Sequence, residues 1–191
     1  MRYEIGIAGS GGQGVILMGV ILAEAVASAD DLFVAQIQSF DPEVRGGRAA
    51  STLVISDEEI DYPGPLGFDL LIGLTQRGLD ENIVRLKRGS LAVIDAELVN
   101  EIVWDKILRI PFTRIARDDI GDERVANMTA LGAVSELCEY LPPPAVRASI
   151  SSRFKGKALD LNLSAFEEGL KCAAELRGSG IEKVEKEDME I

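Results

Sequence analysis

Residues 4–14 read EIGIAGSGGQG, an apolar run entering a cluster of glycines, and the following fifteen residues carry a single charge, Glu24. Gly9, Gly11 and Gly14 stand in G-x-G-x-x-G register between a strand and a helix, the context that gives this spacing meaning. Glycines let a chain turn tightly and approach a phosphate, while the helix N-terminus supplies free N–H groups and the positive end of its dipole. The same glycines suit a first helix lying close against the sheet with nothing bound. Either way, strand, tight turn and core helix in that order commit the chain to an α/β arrangement.

The rest of the chain keeps to that arrangement. Apolar runs at 3–8, 32–37, 49–56, 69–74, 90–96 and 106–112 read as strands, with DLLIGL at 69–74 buried on both faces as in a central parallel strand. Helices are expected over 12–29 and 75–87, the second stopped by Gly89. Gly19, Ala23 and Ala27 give the first of them a small-residue stripe for close packing. After Gly121 the pattern becomes helical, over 122–141, 145–154 and 161–176, with Pro142 to Pro144 as a break. The expected fold is a Rossmann-like, mostly parallel sheet with helices on both faces and a helical C-terminal part. It forms one domain over 1–177, and 178–191 is a charged, solvated tail.

Charge and composition narrow the function. Thirty-two Asp and Glu against twenty Lys and Arg leave a net charge of −12, which repels phosphate backbones and anionic membranes. Nucleic acid and membrane are therefore not expected partners. The longest apolar run, VILMGVILA at 15–23, is too short to cross a bilayer, and the start of the chain lacks a signal-peptide layout, so a cytoplasmic setting is expected. Cys138 and Cys172 lie far apart with no CxxC pattern, which argues against a metal or iron–sulfur site built by this chain alone. Histidine is absent altogether, removing the commonest general base and metal ligand. Chemistry must come from carboxylates, Lys, Arg, backbone amides, or a cofactor held by another chain.

A dinucleotide site needs an acid at the end of the second strand to hold a ribose. That strand instead ends QIQSF, and Asp41 falls in the loop beyond it. Gln13, inside the glycine loop, suits either a ligand or a neighbouring backbone group. The loop SFDPEVRGGRAAS combines an Asp-Pro turn with Gly46 and Gly47, bracketed by Arg45 and Arg48. Arginine suits bidentate contact with a carboxylate or phosphate. The loop follows the second strand and could share an edge with the glycine loop, or be an ordinary solvated surface.

Five segments taken together resemble the gamma subunit of the 2-oxoacid:ferredoxin oxidoreductases, most closely the 2-oxoglutarate type. They are GSGGQG at 9–14, QSFDPEVRGG at 38–47, VISDEEIDYP at 54–63, NMTALGA at 127–133 and NLSAFEEG at 162–169. The resemblance spans roughly 3–177; Asp41 departs from it, since the family often has Gly there. It implies a holoenzyme that decarboxylates a 2-oxoacid on thiamine diphosphate with magnesium (Mg), passes electrons through iron–sulfur clusters to ferredoxin, and forms an acyl-CoA from coenzyme A. The chain's Gly121-Asp122 pair runs on to Glu123 rather than completing a thiamine diphosphate motif. The resemblance thus implies a subunit with no redox centre of its own that packs on alpha and beta, and in some forms delta, subunits; self-association of the isolated chain stays open. The residues it marks for ligand or partner contact are Gly9, Gly11, Gly12, Gln13, Gly14, Ser39, Pro42, Glu43, Arg45, Gly46, Gly47 and Asn127, with none assigned to catalysis. A free-standing Rossmann-type nucleotide-binding oxidoreductase and a purely structural scaffold are the alternatives.

Overall fold

The computed structural model describes residues 1–29, 31–41, 46–179 and 182–183. Its centre is β1 (Arg2–Ser10), flanked by β3 (Arg48–Ser56) and by β4 (Phe68–Gly73). The sheet runs β2-β3-β1-β4-β5-β6-β7, with β2 (Phe33–Phe40), β5 (Leu86–Asp95), β6 (Lys106–Ile110) and β7 (Glu182–Lys183) completing it. Strands β1, β4, β5 and β6 are mutually parallel. Strand β3 runs against β1 and against β2, and β7 against β6, so the sheet is mixed: the expected parallel core of β1, β4, β5 and β6 is flanked by antiparallel pairings, with β2 pointing the same way as the core.

The departure from a simple alternating winding is the β2–β3 hairpin. Only residues 41–47 separate the two strands, and a parallel return needs a crossover of about a dozen residues or more. The chain therefore turns back on itself, from Phe40 opposite Ala49 to Phe33 opposite Ser56. This places the 41–47 loop at the same end of the sheet as the glycine loop.

Side-chain alternation divides the interior in two. On one face, Ile5, Ile7, Leu53, Ile55, Leu70, Ile72, Val93 and Leu108 pack against α1 (Val15–Ala27), α4 (Ala126–Leu137), α5 (Pro143–Arg153) and α6 (Lys157–Ser179). On the other, Phe68, Leu71, Leu86, Ala92, Ile94 and Ile107 meet Leu79 of α2 (Gln76–Asn82), Val99 and Trp104. Helices α4 and α6 cross closely because a side chain on Gly132 would run into the Phe166 carbonyl, and one on Gly169 into the Thr129 carbonyl. The NMTALGA and NLSAFEEG segments are thus the two halves of one helix crossing.

Several element boundaries differ from expectation, for local reasons. The helix expected to reach Lys87 ends at Asn82, passes through a 3₁₀ turn at Ile83–Arg85 and gives way to β5 before Gly89. Leu86 pairs with Phe68 and is buried there, and Lys87 bonds Asp69 at 2.7 Å, so tertiary partners override the helical pattern. The strand expected to reach Phe112 stops at Ile110; Pro111 precedes α3 (Phe112–Arg114), which continues as a π-helical segment over Ile115–Ile120. Helix α4 starts at Ala126 rather than 122, after a turn in which the Asp122 carboxylate accepts from the Arg124 amide at 3.0 Å. Pro143 opens α5 instead of only breaking its predecessor, as suits a residue with no N–H at a first helical position. In the tail, Glu182 pairs with Ile107 of β6.

A buried carboxylate sets the connection into β4. Glu4, fully buried in β1, accepts from Arg2 Nε at 2.6 Å and from the Leu66 and Gly67 amides at 2.7 and 2.9 Å. Arg2 also donates to the carbonyls of Tyr62 and Gly64, so the two side chains hold the 62–67 segment over the bottom of the sheet.

Candidate functional site

The turn after β1 brings the glycines into use. Gly14 caps α1 with φ 73°, a left-handed conformation open to glycine. A side chain there would also collide with the Asn127 amide, so the position is closed twice over. The first turn of α1 contains no acid, and no side chain caps its first N–H groups. Gln13 explains itself: its Oε1 accepts from the Ser10 amide at 2.8 Å and lies over Gly9, stapling the loop. Asn127, only 6% exposed, accepts from the Met128 amide through Oδ1 at 3.1 Å. Among the described residues its Nδ2 donates to nothing.

This amide borders a cavity of about 390 Å³ at the carboxyl ends of the parallel strands, where open α/β sheets place their ligands. Gly12 and Gln13 line it from β1, Leu74 from β4, Asp95 from β5 and Thr113 from beyond β6, with Arg124 and Asn127 above. Asp95 is buried, but three neutral donors satisfy it: the Thr113 amide at 3.0 Å, Thr113 Oγ1 at 2.5 Å and the Glu97 amide at 2.9 Å. It braces β5 to the start of α3 and was not among the expected site residues. The readable signal was an acid closing the apolar run LAVIDA. Arg124 is nearly fully exposed and pairs with Asp122 at 2.6 Å. Its guanidinium, aided by its own amide, pulls the Asp122 carboxyl down to about 2.

The hairpin loop joins this edge through one backbone bond, Gly11 N–H to the Gly47 carbonyl at 2.7 Å. Asp41 closes the hairpin: its amide donates to the Arg48 carbonyl at 2.9 Å, and its carboxylate accepts from the Arg48 amide and guanidinium, both at 3.0 Å. The Arg48 amide first, then its guanidinium and the charge of Arg77, hold the Asp41 carboxyl below its ordinary range. Arg48 also reaches Glu81 at 3.4 Å, and Arg77 lies 3.9 Å from Asp41, tying the hairpin base to α2. Arg48 is therefore engaged by acids of its own chain rather than held ready for an external anion. Asp41, where the resemblance led to an expected glycine, supplies a carboxylate that locks the turn.

Of the expected residues, Gly12, Gln13 and Asn127 line the cavity; Gly9 lies under Gln13, Gly14 lies against Asn127, and Gly47 is bonded to Gly11. Ser39 is set apart, in a second groove beside β2. Pro42, Glu43 and Arg45 lie outside the described residues.

Among the described residues, no group of three or more Cys, Asp or Glu side chains is placed to hold a metal ion, and no helix is long and apolar enough to cross a membrane. Cys138 is buried, and Cys172 is half-buried on a different helix.

Residues 4–172 match the family described as pyruvate ferredoxin/flavodoxin oxidoreductase. The chain is 38% identical over 180 residues to the 2-oxoglutarate synthase subunit KorC of Methanocaldococcus jannaschii, covering 92% of this chain and 96% of that one. The gamma subunit of a keto/oxoacid ferredoxin oxidoreductase from Geobacter sulfurreducens PCA superposes with a TM-score of 0.83 at 36% identity, over 92% of this chain and 98% of that one. A 2-oxoglutarate:ferredoxin oxidoreductase from Magnetococcus marinus, solved with 2-oxoglutarate, coenzyme A and succinyl-CoA bound, gives a TM-score of 0.81 at 27% identity; 91% of this chain matches 31% of that longer one. The glycine loop, the hairpin edge bonded to it and the paired helices α4 and α6 thus belong to a chain of the pyruvate ferredoxin/flavodoxin oxidoreductase family, an oxidoreductase subunit of the gamma type.

Proposed function

We propose that this chain is the gamma subunit of a cytoplasmic 2-oxoglutarate:ferredoxin oxidoreductase, and that its glycine-loop and hairpin edge faces the active-site region shared with the alpha and beta subunits. In this reading thiamine diphosphate, magnesium and the iron–sulfur clusters reside on those partners or on a delta subunit. The gamma chain helps to receive coenzyme A. The observation that carries the reading is the Gly11–Gly47 bond, which fuses the two loops into one edge beside a cavity bordered by the uncapped start of α1 and the unengaged Asn127 amide. N–H donors of that kind suit the phosphates and amides of a nucleotide thioester carrier. The near-full-length match to KorC supports the choice of 2-oxoglutarate among 2-oxoacids.

A free-standing dinucleotide enzyme fits less well. Its ribose-binding acid belongs on the strand beside β1. Here β3 lies between β1 and β2, and Asp41 at the end of β2 is tied to Arg48. Affinity purification from native cells tests the proposal: the chain should bring down subunits carrying thiamine diphosphate and iron–sulfur clusters, with 2-oxoglutarate- and CoA-dependent reduction of ferredoxin. Recovery of the chain alone, binding NAD or FAD, would overturn it.

A further inference from the structure

Strand β2 forms one edge of the sheet, and its sequence, FVAQIQSF, holds no charge, no proline and no glycine. Exposed edge strands are ordinarily blunted by lysine, proline or a bulge, because their free N–H and C=O groups template pairing with another chain. This one is left open in a protein whose residues are 27% charged. Gln36 points toward α1, bonding Ser51 at 2.9 Å and the Ile16 carbonyl. By alternation, Phe33, Ala35, Ile37 and Ser39 stand on the opposite face. Phe33 is 49% and Ile37 39% exposed there.

Helix α2 packs on this face over β1, β3 and β4. Beside it remains a groove of about 280 Å³, floored by Ile37, Ser39, Ala50 and Thr52 and walled by Pro65 and Asn82. The charges at its rim are already engaged. Arg48 pairs with Glu81, and Arg85 donates to the Pro65 carbonyl and lies 5.1 Å from the centre of the Phe68 ring. The groove and strand edge together offer backbone hydrogen bonds and an uncharged floor of mixed polarity, with Ile37 and Ala50 beside the Ser39 and Thr52 hydroxyls.

We propose that this edge receives an extended, uncharged segment of another subunit of the same oxidoreductase, which adds to β2 as a strand and sets apolar side chains against Phe33 and Ile37. The inference rests on the gamma-subunit reading. Charge argues against a second copy as the occupant, since two bodies of net charge −12 would meet within about one screening length of 8 Å. Area argues the same way. A stable interface buries roughly 1,200–2,000 Å², and edge-to-edge pairing of two short strands leaves the groove unfilled. The family supplies a positive reason: the matched region is 96% of the KorC chain but 31% of the Magnetococcus chain, so the same module occurs alone and joined to a larger neighbour. Continuity is a further one, because β2 runs directly into the 41–47 loop, and a strand docked on it leads to the Gly11–Gly47 edge.

The test uses the assembled complex, co-expressed with an affinity tag on another subunit. Phe33→Lys combined with Ile37→Lys should lower recovery of this chain with the tagged subunit about tenfold or more, since buried apolar anchors carry most interface energy. Val103→Lys, at a still more exposed apolar residue away from β2, should leave recovery unchanged. Hydrogen exchange of the wild-type β2 amides supplies a readout independent of the variants' folding, and should slow about tenfold or more in the complex relative to the isolated chain. Wild-type recovery of the double variant, or β2 amides that exchange equally fast in the complex, would overturn the proposal while leaving the gamma-subunit reading intact. Protection of β2 that arises in the isolated chain together with a dimeric mass would assign the edge to a second copy and overturn it too. If the wild-type chain is not recovered with any oxidoreductase subunit, the gamma-subunit reading itself falls.

Discussion

The Gly11 amide donates to the Gly47 carbonyl across 2.7 Å, so the turn that opens α1 and the loop that closes the β2–β3 hairpin form a single edge. Neither loop is independent of the other. A change that loosens the hairpin should be felt at the glycine loop, and the Asp41–Arg48 clasp is the place to loosen it.

Asp41→Ala removes the acceptor of the Arg48 amide and guanidinium. The melting temperature should barely move, because the clasp is at the surface. The Gly11 and Arg48 amides should exchange about tenfold faster, by local opening. The clasp is also pH-dependent. Because the folded Asp41 carboxyl lies below its ordinary value of 3.8, its stabilisation is present above that pH and lost as pH falls through the lowered value. Amide exchange by NMR at neutral and acid pH checks both statements.

Helices α4 and α6 leave no room at their crossing. Gly169→Val would drive a side chain into the Thr129 carbonyl. Overpacking of this kind costs about 3 kcal/mol. Urea unfolding should show it as a lower midpoint with the slope unchanged, and wild-type stability of Gly169→Val would contradict the crossing described here.

Glu4→Gln tests the strap over 62–67. It leaves Arg2 without its carboxylate and weakens the acceptor for the Leu66 and Gly67 amides. Breaking such a buried pair from one side costs about 3 kcal/mol. The loss should appear in denaturant midpoints together with faster exchange at Leu66 and Gly67, and with no change in cofactor content of the complex.

Burial pushes the Cys138 thiol up to about 11 from an ordinary 9.0, and burial raises the Tyr3 hydroxyl as well. Groups whose folded pKa is raised stabilise the protein fully below their unfolded value and lose that contribution as pH climbs through the folded one. Thermal stability should therefore decline between about pH 9 and 11, and Cys138→Ala should flatten that decline. At pH 8 the thiol is protonated and buried, so iodoacetamide should modify Cys172 well before Cys138.

The sequence carried the local features well and the long-range ones poorly. Gly9, Gly11 and Gly14 foretold a strand, a tight turn and a helix, because that signal lies in consecutive residues. The hairpin between β2 and β3 was not foreseen, although seven intervening residues already exclude a parallel crossover. The strand start at Leu86 was hidden by a helical pattern that Phe68 and Asp69, distant in sequence, override. Asn127 was marked on resemblance alone, and its contact with Gly14 explains both residues. Asp95 and Thr113 went unmarked because each becomes part of the cavity only when β5 and β6 lie side by side. The sequence left open whether Arg48 meets an anion or is solvated, and its partners Asp41 and Glu81 could be identified only once α2 was placed against the hairpin.

We propose that the edge made by Gly11 and Gly47 serves coenzyme A in the assembled enzyme. Replacing residues 42–47 with a tight Asn-Gly turn removes the hairpin half of that edge while keeping Asp41 opposite Arg48 and β2 and β3 in register. The decisive measurement is the KM for coenzyme A in 2-oxoglutarate-dependent ferredoxin reduction by the purified complex. Assembly should stay intact, with the KM raised about tenfold or more and kcat nearly unchanged, the signature of lost binding rather than lost chemistry. An assembled complex whose KM for coenzyme A equals that of the wild type would contradict it.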